Sequence, residues 1–366
     1  MNLRVITTYL NIEVITLNLN AFKKTKHNML TVCIAGKNNI AINGLNYLFE
    51  KYSHQLDICF LPNQDDNCID GWQYSFRKFA EKLNIRHASL EELYKTKELI
   101  FISLEFSEII NTKKFITNRL FNIHFSLLPK YRGVYTSALP IMFGDKITGV
   151  TLHKIDDGID TGDIIDQKSF KINDNDTSRD LYEKYLENGY LIFKKNIDKL
   201  IKQKFTAFPQ SARDATYFSK KAIDFNVSEI NFHKKALEVN NHIRAFTFRE
   251  YQLPKFKNHE IYKSQVINEI SSIPPGLIVK EDSGSFIIST LDFNIKLYKD
   301  YYELLWSLCK EGNLEAIKKI LTHIPDINLK NKFGWNAIII AKFNGHLNLV
   351  RYLVEMGADL DLTSNN

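Results

Sequence analysis

Cysteine is scarce in this sequence, with only Cys33, Cys59, Cys68 and Cys309 among 366 residues. Their spacing fits neither a metal-ligand pattern nor a disulfide framework, which predicts a metal-free protein of a reducing, cytoplasmic compartment. No apolar run approaches the roughly 18 residues of a membrane span, so no membrane partner is expected. The first strand-like run ends in Gly36-Lys37-Asn38-Asn39 rather than a GxGxxG fingerprint, which disfavours a dinucleotide site. Excess charge is also small. Of the net +6, half falls in residues 1–29, where Arg4, Lys23, Lys24 and Lys26 face Glu13 alone. The remainder is too nearly neutral to predict a nucleic-acid partner. Residues 1–29 lack the apolar core and small-residue cleavage site of a signal peptide. Met29 directly precedes an apolar run, so the native chain is expected to start there, or the extension to be disordered.

What is present is ordinary globular material, 44% hydrophobic and 25% charged, enough for two or three domains. Short apolar runs at 30–36, 57–62, 99–104, 121–125 and 147–155 read as strands. Helical patterns lie between several of them, at 40–52, 73–84 and 107–118. This alternation predicts an α/β fold with an open sheet. Longer helical patterns occupy 176–204 and 227–243. From about 255 to 298 the texture changes, and Pro274-Pro275-Gly276 punctuates two β-type runs, which predicts a small β-rich subdomain.

The C-terminal part repeats itself at a spacing of 33 residues. Gly312 pairs with Gly345, Leu314 with Leu347, Ile317 with Val350, Leu321 with Val354, Asp326 with Asp359 and Leu329 with Leu362. That period, with a Gly-[Asn/His]-Leu turn, resembles ankyrin repeats. So short an array cannot bury a core alone and should dock on the rest of the chain or on a second subunit. The expected division is an extension (1–29), a catalytic domain (30–225), a linker helix with the β-rich subdomain (226–298) and the repeat module (299–366).

Two stretches carry chemistry. In Phe121-Asn122-Ile123-His124-Phe125, a strand would turn Asn122 and His124 to one face and the apolar residues to the other. The second stretch, Asp156-Asp157-Gly158-Ile159-Asp160-Thr161-Gly162-Asp163, is an acidic loop after the 147–155 strand. Its carboxylates lack the regular spacing of a calcium loop, so no metal is expected. Transfer of an acyl group to an amine needs a donor for the developing oxyanion, a base near neutral pKa and a carboxylate to orient that base. Asn122, His124 and Asp160 supply one of each.

Asn122-x-His124-x-Ser126-Leu127-Leu128-Pro129, with Asp160-Thr161-Gly162-Asp163 following, resembles the folate-dependent formyltransferases. The resemblance spans roughly residues 30–300 and implies a Rossmann-like open-sheet catalytic domain using 10-formyltetrahydrofolate. It implies that Asn122 stabilises the oxyanion, His124 is the acid/base, and Asp160 tunes His124. It also implies that the pterin rests on the segment Leu104, Glu105, Phe106, Ser107 and on the loop carrying Asp156, Asp157 and Asp160. Gly71-Trp72-Gln73, Ala215-Thr216-Tyr217-Phe218 and the segment with Arg244 and Phe246 resemble the nucleotide-sugar N-formyltransferase branch. Trp72, Tyr217, Arg244 and Phe246 are therefore expected to face a nucleotide-linked amino sugar. Together with ankyrin repeats, the pattern resembles the enzymes acting on dTDP-linked 3-amino-3,6-dideoxyhexoses, which serve surface-polysaccharide (O-antigen) synthesis, and implies a homodimer. Alternative acceptors are a 4-amino sugar nucleotide or methionyl-tRNA. An ankyrin-type binding protein with an inactive enzyme domain is the non-enzyme reading. Val134 stands where some sugar enzymes have a second Arg after Arg132-Gly133, so that contact does not carry over.

Other residues have plainer readings. His153, alternating with apolar neighbours in a strand, is expected to be a core or rim histidine. Tyr217, Arg244, Phe246 and Arg249 read equally as nucleotide contacts, by stacking and by pairing with a diphosphate, or as subunit-interface residues. Trp335, at the tip that opens a repeat, predicts a contact: docking on the body, a second subunit, or a second pocket for a nucleotide base.

Overall fold

A computed structural model describes residues 29–227 and 229–359. The extension up to residue 28 and Leu362 of the repeat alignment lie outside the described residues. Strands β1 (Thr31–Gly36), β2 (Asp57–Pro62), β3 (Arg86–His87), β4 (Leu99–Leu104) and β5 (Leu120–His124) are followed by a short β6 (Arg132–Gly133), β7 (Ile147–Lys154) and β8 (Ile164–Lys171). Seven of them form one sheet in the order β3-β2-β1-β4-β5-β7-β8. The first five pair in parallel, and β7 and β8 are added antiparallel. β1 and β4 are apolar almost throughout and buried at every position, as a strand covered on both faces must be. Strand order reverses about β1 and β4, and an open α/β sheet of this kind leaves its ligand crevice at the strands' C-terminal ends there.

Helices α1 (Asn38–Tyr52), α2 (Phe76–Lys82), α3 (Leu90–Lys95), α4 (Leu139–Met142) and α5 (Ser178–Ile201) flank the sheet. Thr177 and Asp180 form a reciprocal capping box that starts α5. The helix expected over 107–118 is corrected to a single 3-10 turn, Thr112–Lys114. Phe115 plugs into the core against Tyr94 and Phe101, while Ile109 and Ile116 are exposed. The segment thus has no continuous apolar stripe to hold a helix on the body.

A parallel pairing of β6 with β9 (Tyr217–Phe218) forms a separate two-stranded ribbon. The helix expected at 227–243 is α6 (Ala236–Phe246). Ile230 and Phe232 ahead of it are instead buried against the β subdomain. That subdomain is a five-stranded sheet of β10 (Lys255–Phe256), β11 (His259–Ile270), β12 (Ile278–Glu281), β13 (Ser285–Ile288) and β14 (Phe293–Lys299), in the order β10-β11-β14-β13-β12. β11 is long but buries only Ile261 and Ser264, so its sequence shows little strand alternation.

The tail folds as two helix pairs, α7 (Tyr302–Glu311) with α8 (Leu314–Ile320), and α9 (Ala337–Phe343) with α10 (Leu347–Glu355). The repeated glycines have a structural cause. Gly312 and Gly345 both take left-handed backbone, φ 74° and 78°. At Gly312 a Cβ would also strike the His346 ring at 2.4 Å. The tail docks on the body through the Arg249–Asp300 ion pair, in which Asp300 is almost wholly buried. The Arg249 guanidinium also lies 4.5 Å from the centroid of the Tyr302 ring. A second contact is made by the turn at 331–335. Its Lys332 carbonyl abuts Gly71, where a Cβ would approach it to 3.0 Å.

Candidate active site

β5 delivers two polar side chains because its pleat alternates. Phe121 and Ile123 enter the main core, and Asn122 and His124 face a cavity of about 1010 Å³. Asp160 reaches the same cavity from the loop after β7, with left-handed backbone at φ 54°. Its Oδ2 lies 3.5 Å from His124 Nδ1, and its Oδ1 accepts from Asn122 Nδ2 at 3.3 Å. The Gly133 amide donates to Oδ2 at 2.9 Å. The structure therefore brings Asn122, His124 and Asp160 together.

Protonation follows from the partners. His124 Nε2 faces the Tyr131 carbonyl at 2.7 Å, and a carbonyl only accepts, so Nε2 carries the hydrogen. Neutral His124 then turns the lone pair of Nδ1 towards Asp160. Burial pushes the His124 pKa below its ordinary value, with the Asp160 charge and the Tyr131 bond acting in the opposite direction. Burial opposes ionisation of Asp160, but the two histidines and the Gly133 amide hold it well below the usual carboxylate range.

His153 belongs to this cluster, beyond what its sequence pattern suggested. It is the antiparallel register partner of Asn122 across β5 and β7. Its Nδ1 donates to the Lys154 carbonyl at 2.7 Å, so its Nε2 accepts from Asn122 Nδ2 at 3.1 Å. Nε2 also stands 3.5 Å from Asp160 Oδ1. No sequence signal separates His153 from a core histidine, because strand register decides its partner.

Glu105, Phe106 and Ser107 line the cavity after β4, whereas the Leu104 side chain is buried in the main core. Asn63 clamps this segment, donating to the Glu105 carbonyl and accepting from the Ser107 amide, both at 3.1 Å. That clamp was not singled out in the sequence. The Glu105 carboxylate accepts from the Tyr182 hydroxyl at 2.7 Å and from Asn38 at 3.2 Å. Burial pushes its pKa up, against those bonds and the Lys37 charge. Asp156 and Asp157 also line the cavity. Asp156 is tied to Thr161 at 2.6 Å, and Asp157 to Thr112 and Lys113.

Tyr217 lies at the cavity, with Lys37 and Lys220 also on its wall. Three expected substrate contacts fall elsewhere. Arg244 is buried, its Nη atoms donating to the Asp176 carbonyl at 2.8 Å and to Asn241 at 2.7 Å, so it braces loops rather than facing ligand. Phe246 is packed between Phe225 and His242. Trp72 stands behind the wall, against Tyr182, Phe248 and Tyr251, which themselves line the cavity. Arg249 is spent on Asp300 in the tail contact. Trp335 sits at the repeat tip, 36% exposed and 5.1 Å from Phe343, away from this cavity.

The family model described as formyl transferase matches residues 73–197, and its C-terminal domain matches 222–299. Ankyrin repeats match 294–366. Among solved structures, an N-formyltransferase from Helicobacter canadensis in complex with folinic acid and dTDP-3-aminofucose is 45% identical, with a TM-score of 0.69, covering 74% of this chain and 100% of that one. WlaRD, a sugar 3N-formyl transferase in the presence of dTDP and 5-N-formyl-THF, is 48% identical with a TM-score of 0.69, covering 74% and 98%. Among curated relatives, methionyl-tRNA formyltransferase of Clostridium tetani is 30% identical over 185 residues, 49% of this chain and 57% of that protein. That of Fervidobacterium nodosum is 34% identical over 183 residues, 47% and 56%. The match thus spans little more than half the length of these curated relatives.

Proposed function

The chain belongs to the formyl transferase family, and we propose that it moves a formyl group from 10-formyltetrahydrofolate to the amine of a dTDP-linked 3-amino-3,6-dideoxyhexose. The observation that carries this reading is the convergence of Asn122, His124 and Asp160 on one cavity wall. Likeness to the two sugar enzymes, which extends over nearly their whole length, supports the amino-sugar acceptor over methionyl-tRNA.

The cavity suits a folate in size and lining, with Phe106 and Ile110 offering apolar surface to a ring. The folate supplies the formyl carbon, and the chain's residues do the rest. As the bond from the amine to the formyl carbon forms and the bond from that carbon to the folate nitrogen breaks, neutral His124 accepts on Nδ1 the proton that the attacking amine loses and returns it to the departing folate nitrogen. Asp160 stabilises the imidazolium so formed and, through Gly133, stays ionised. Asn122 turns an Nδ2 hydrogen to the charge growing on the carbonyl oxygen, giving up its long bond to Asp160 and keeping that to His153. Asn63 holds the 105–107 wall. Tyr217 offers an exposed ring for the nucleotide base, while Lys37 and Lys220 offer charge for its phosphates.

The same reading places the enzyme in the cytoplasm, in agreement with its unpaired cysteines, and its product in surface-polysaccharide synthesis. Among the described residues no helix is long and apolar enough to cross a membrane. A homodimer is supported by exposed apolar side chains on the β subdomain, Ile270, Leu277 and Leu291. Trp335 with Phe333 and Phe343 makes a contact patch on the tail.

The test is incubation with 10-formyltetrahydrofolate and a panel of acceptors, read by the mass gain of a formyl group. Turnover of 3-amino sugar nucleotides is expected. Turnover of methionyl-tRNA or of a 4-amino sugar alone would replace the acceptor, and none with any acceptor would sink the reading.

A further inference from the structure

Tyr131 follows His124 by seven residues and takes left-handed backbone, φ 59°, which a non-glycine residue keeps only when its surroundings enforce it. Three anchors enforce it. The amide donates to Thr216 Oγ1 at 2.7 Å. The hydroxyl donates to Asp145 Oδ2 at 2.7 Å. The ring is buried and packs in a triangle with Phe143 and Phe218, its centroid 6.3 and 5.8 Å from theirs. The result of that conformation is one short bond, from His124 Nε2 to the Tyr131 carbonyl at 2.7 Å. Two residues on, the Gly133 amide holds Asp160. One short stretch of chain therefore orients both the base and the carboxylate.

We infer that Tyr131 is a positioning residue. Its hydroxyl, locked on Asp145, keeps the carbonyl aimed at His124 Nε2 and so fixes the tautomer that leaves Nδ1 free to take the amine proton. Asp145 touches neither His124 nor the cavity wall around it; the link runs through the Tyr131 ring and backbone. A group two steps from the chemistry thus sets which nitrogen is the base. This inference rests on His124 acting as base in the proposed transfer, but the tautomer itself is readable without turnover.

The experiment compares the full chain with Tyr131→Phe, Asp145→Ala and Asp145→Asn. Nitrogen-15 spectra of labelled histidine, with His124→Asn to assign the signal, report the tautomer. Steady-state kinetics report kcat and KM. The wild type should show hydrogen on Nε2. Tyr131→Phe and Asp145→Ala should show a mixture of tautomers and a fall in kcat of about tenfold, the scale of one lost hydrogen bond, with KM little changed. Asp145→Asn keeps an acceptor for the hydroxyl and should lose less than Asp145→Ala. If Tyr131→Phe does not fold, Asp145→Ala, which leaves the ring in place, gives the same readouts. An unchanged tautomer in the variants, or a loss in KM alone, overturns the inference. A wild type inactive on every acceptor would overturn the proposed function, and the spectra alone would then decide this point.

Discussion

Asn122 and His153 face each other across β5 and β7 as register partners, joined amide to imidazole at 3.1 Å. The ring nitrogen away from Asn122 is held by a backbone carbonyl, so His153 can only accept from the amide. That fixes which way the Asn122 side chain points. His153→Phe should therefore lower kcat by about tenfold, the cost of one lost orienting bond. His153→Gln, with a side-chain oxygen able to accept, should recover part of it. Initial rates of formyl transfer check both.

Removing the donor itself should cost more. Asn122→Ala is expected to lower kcat by about 10²-fold or more, as for a single oxyanion donor elsewhere, with KM for the amino sugar nearly constant. Single-turnover rates measured with saturating substrates would separate the chemical step from binding.

Replacing His124 by Asn should reduce the rate by about 10²- to 10⁴-fold, the usual worth of a positioned base. The fold should survive, because one polar side chain replaces another beside Asp160. Circular dichroism and thermal unfolding check the second half of that statement.

The acid limb of the rate should inflect below 6.5, the ordinary value for histidine, since burial depresses His124 despite Asp160. The sign is set by the base: protonated His124 cannot take the amine proton, so activity falls as pH drops through its pKa. Asp160→Asn removes a charge that raises that pKa, and should move the inflection further to acid while lowering the plateau. A profile of kcat against pH for both proteins tests this, with His153 also facing the pair.

Loss of the tail contact should be visible in stability. Asp300→Ala strands the Arg249 guanidinium, whose side chain is 14% exposed, without its partner. Breaking a buried pair from one side costs about 3–5 kcal/mol. Urea unfolding should show a lower midpoint, and loss of the tail's protection from proteolysis would accompany it.

Much of this architecture was legible in the chain because it rests on local periodicity. The short, nearly continuous apolar runs of β1 and β4 read as covered strands, and the alternation at Asn122 and His124 gave their common face. Gly312 and Gly345 marked the repeat for a steric reason. What escaped reading depends on distance in sequence. His153 joins the site through strand register, and Asn63 by reaching from the end of β2 across the end of β1 to the segment after β4. Arg244 offered no signal, since a guanidinium on an amphipathic helix serves loops or ligands equally well until burial is known. The 107–118 segment misled because two of its isoleucines, Ile109 and Ile116, face solvent, while Ile110 and Phe115 turn inward.

The contact between Gly71 and the Lys332 carbonyl bears on how such chains are built. A Cβ at 71 would stand 3.0 Å from that carbonyl, so the tail would have to give by a few tenths of an ångström. Grafting this tail onto a related enzyme with a larger residue there would meet a steric mismatch. Body and tail therefore fit closely at this point, and an exchange of tails between relatives would have to keep a small residue there.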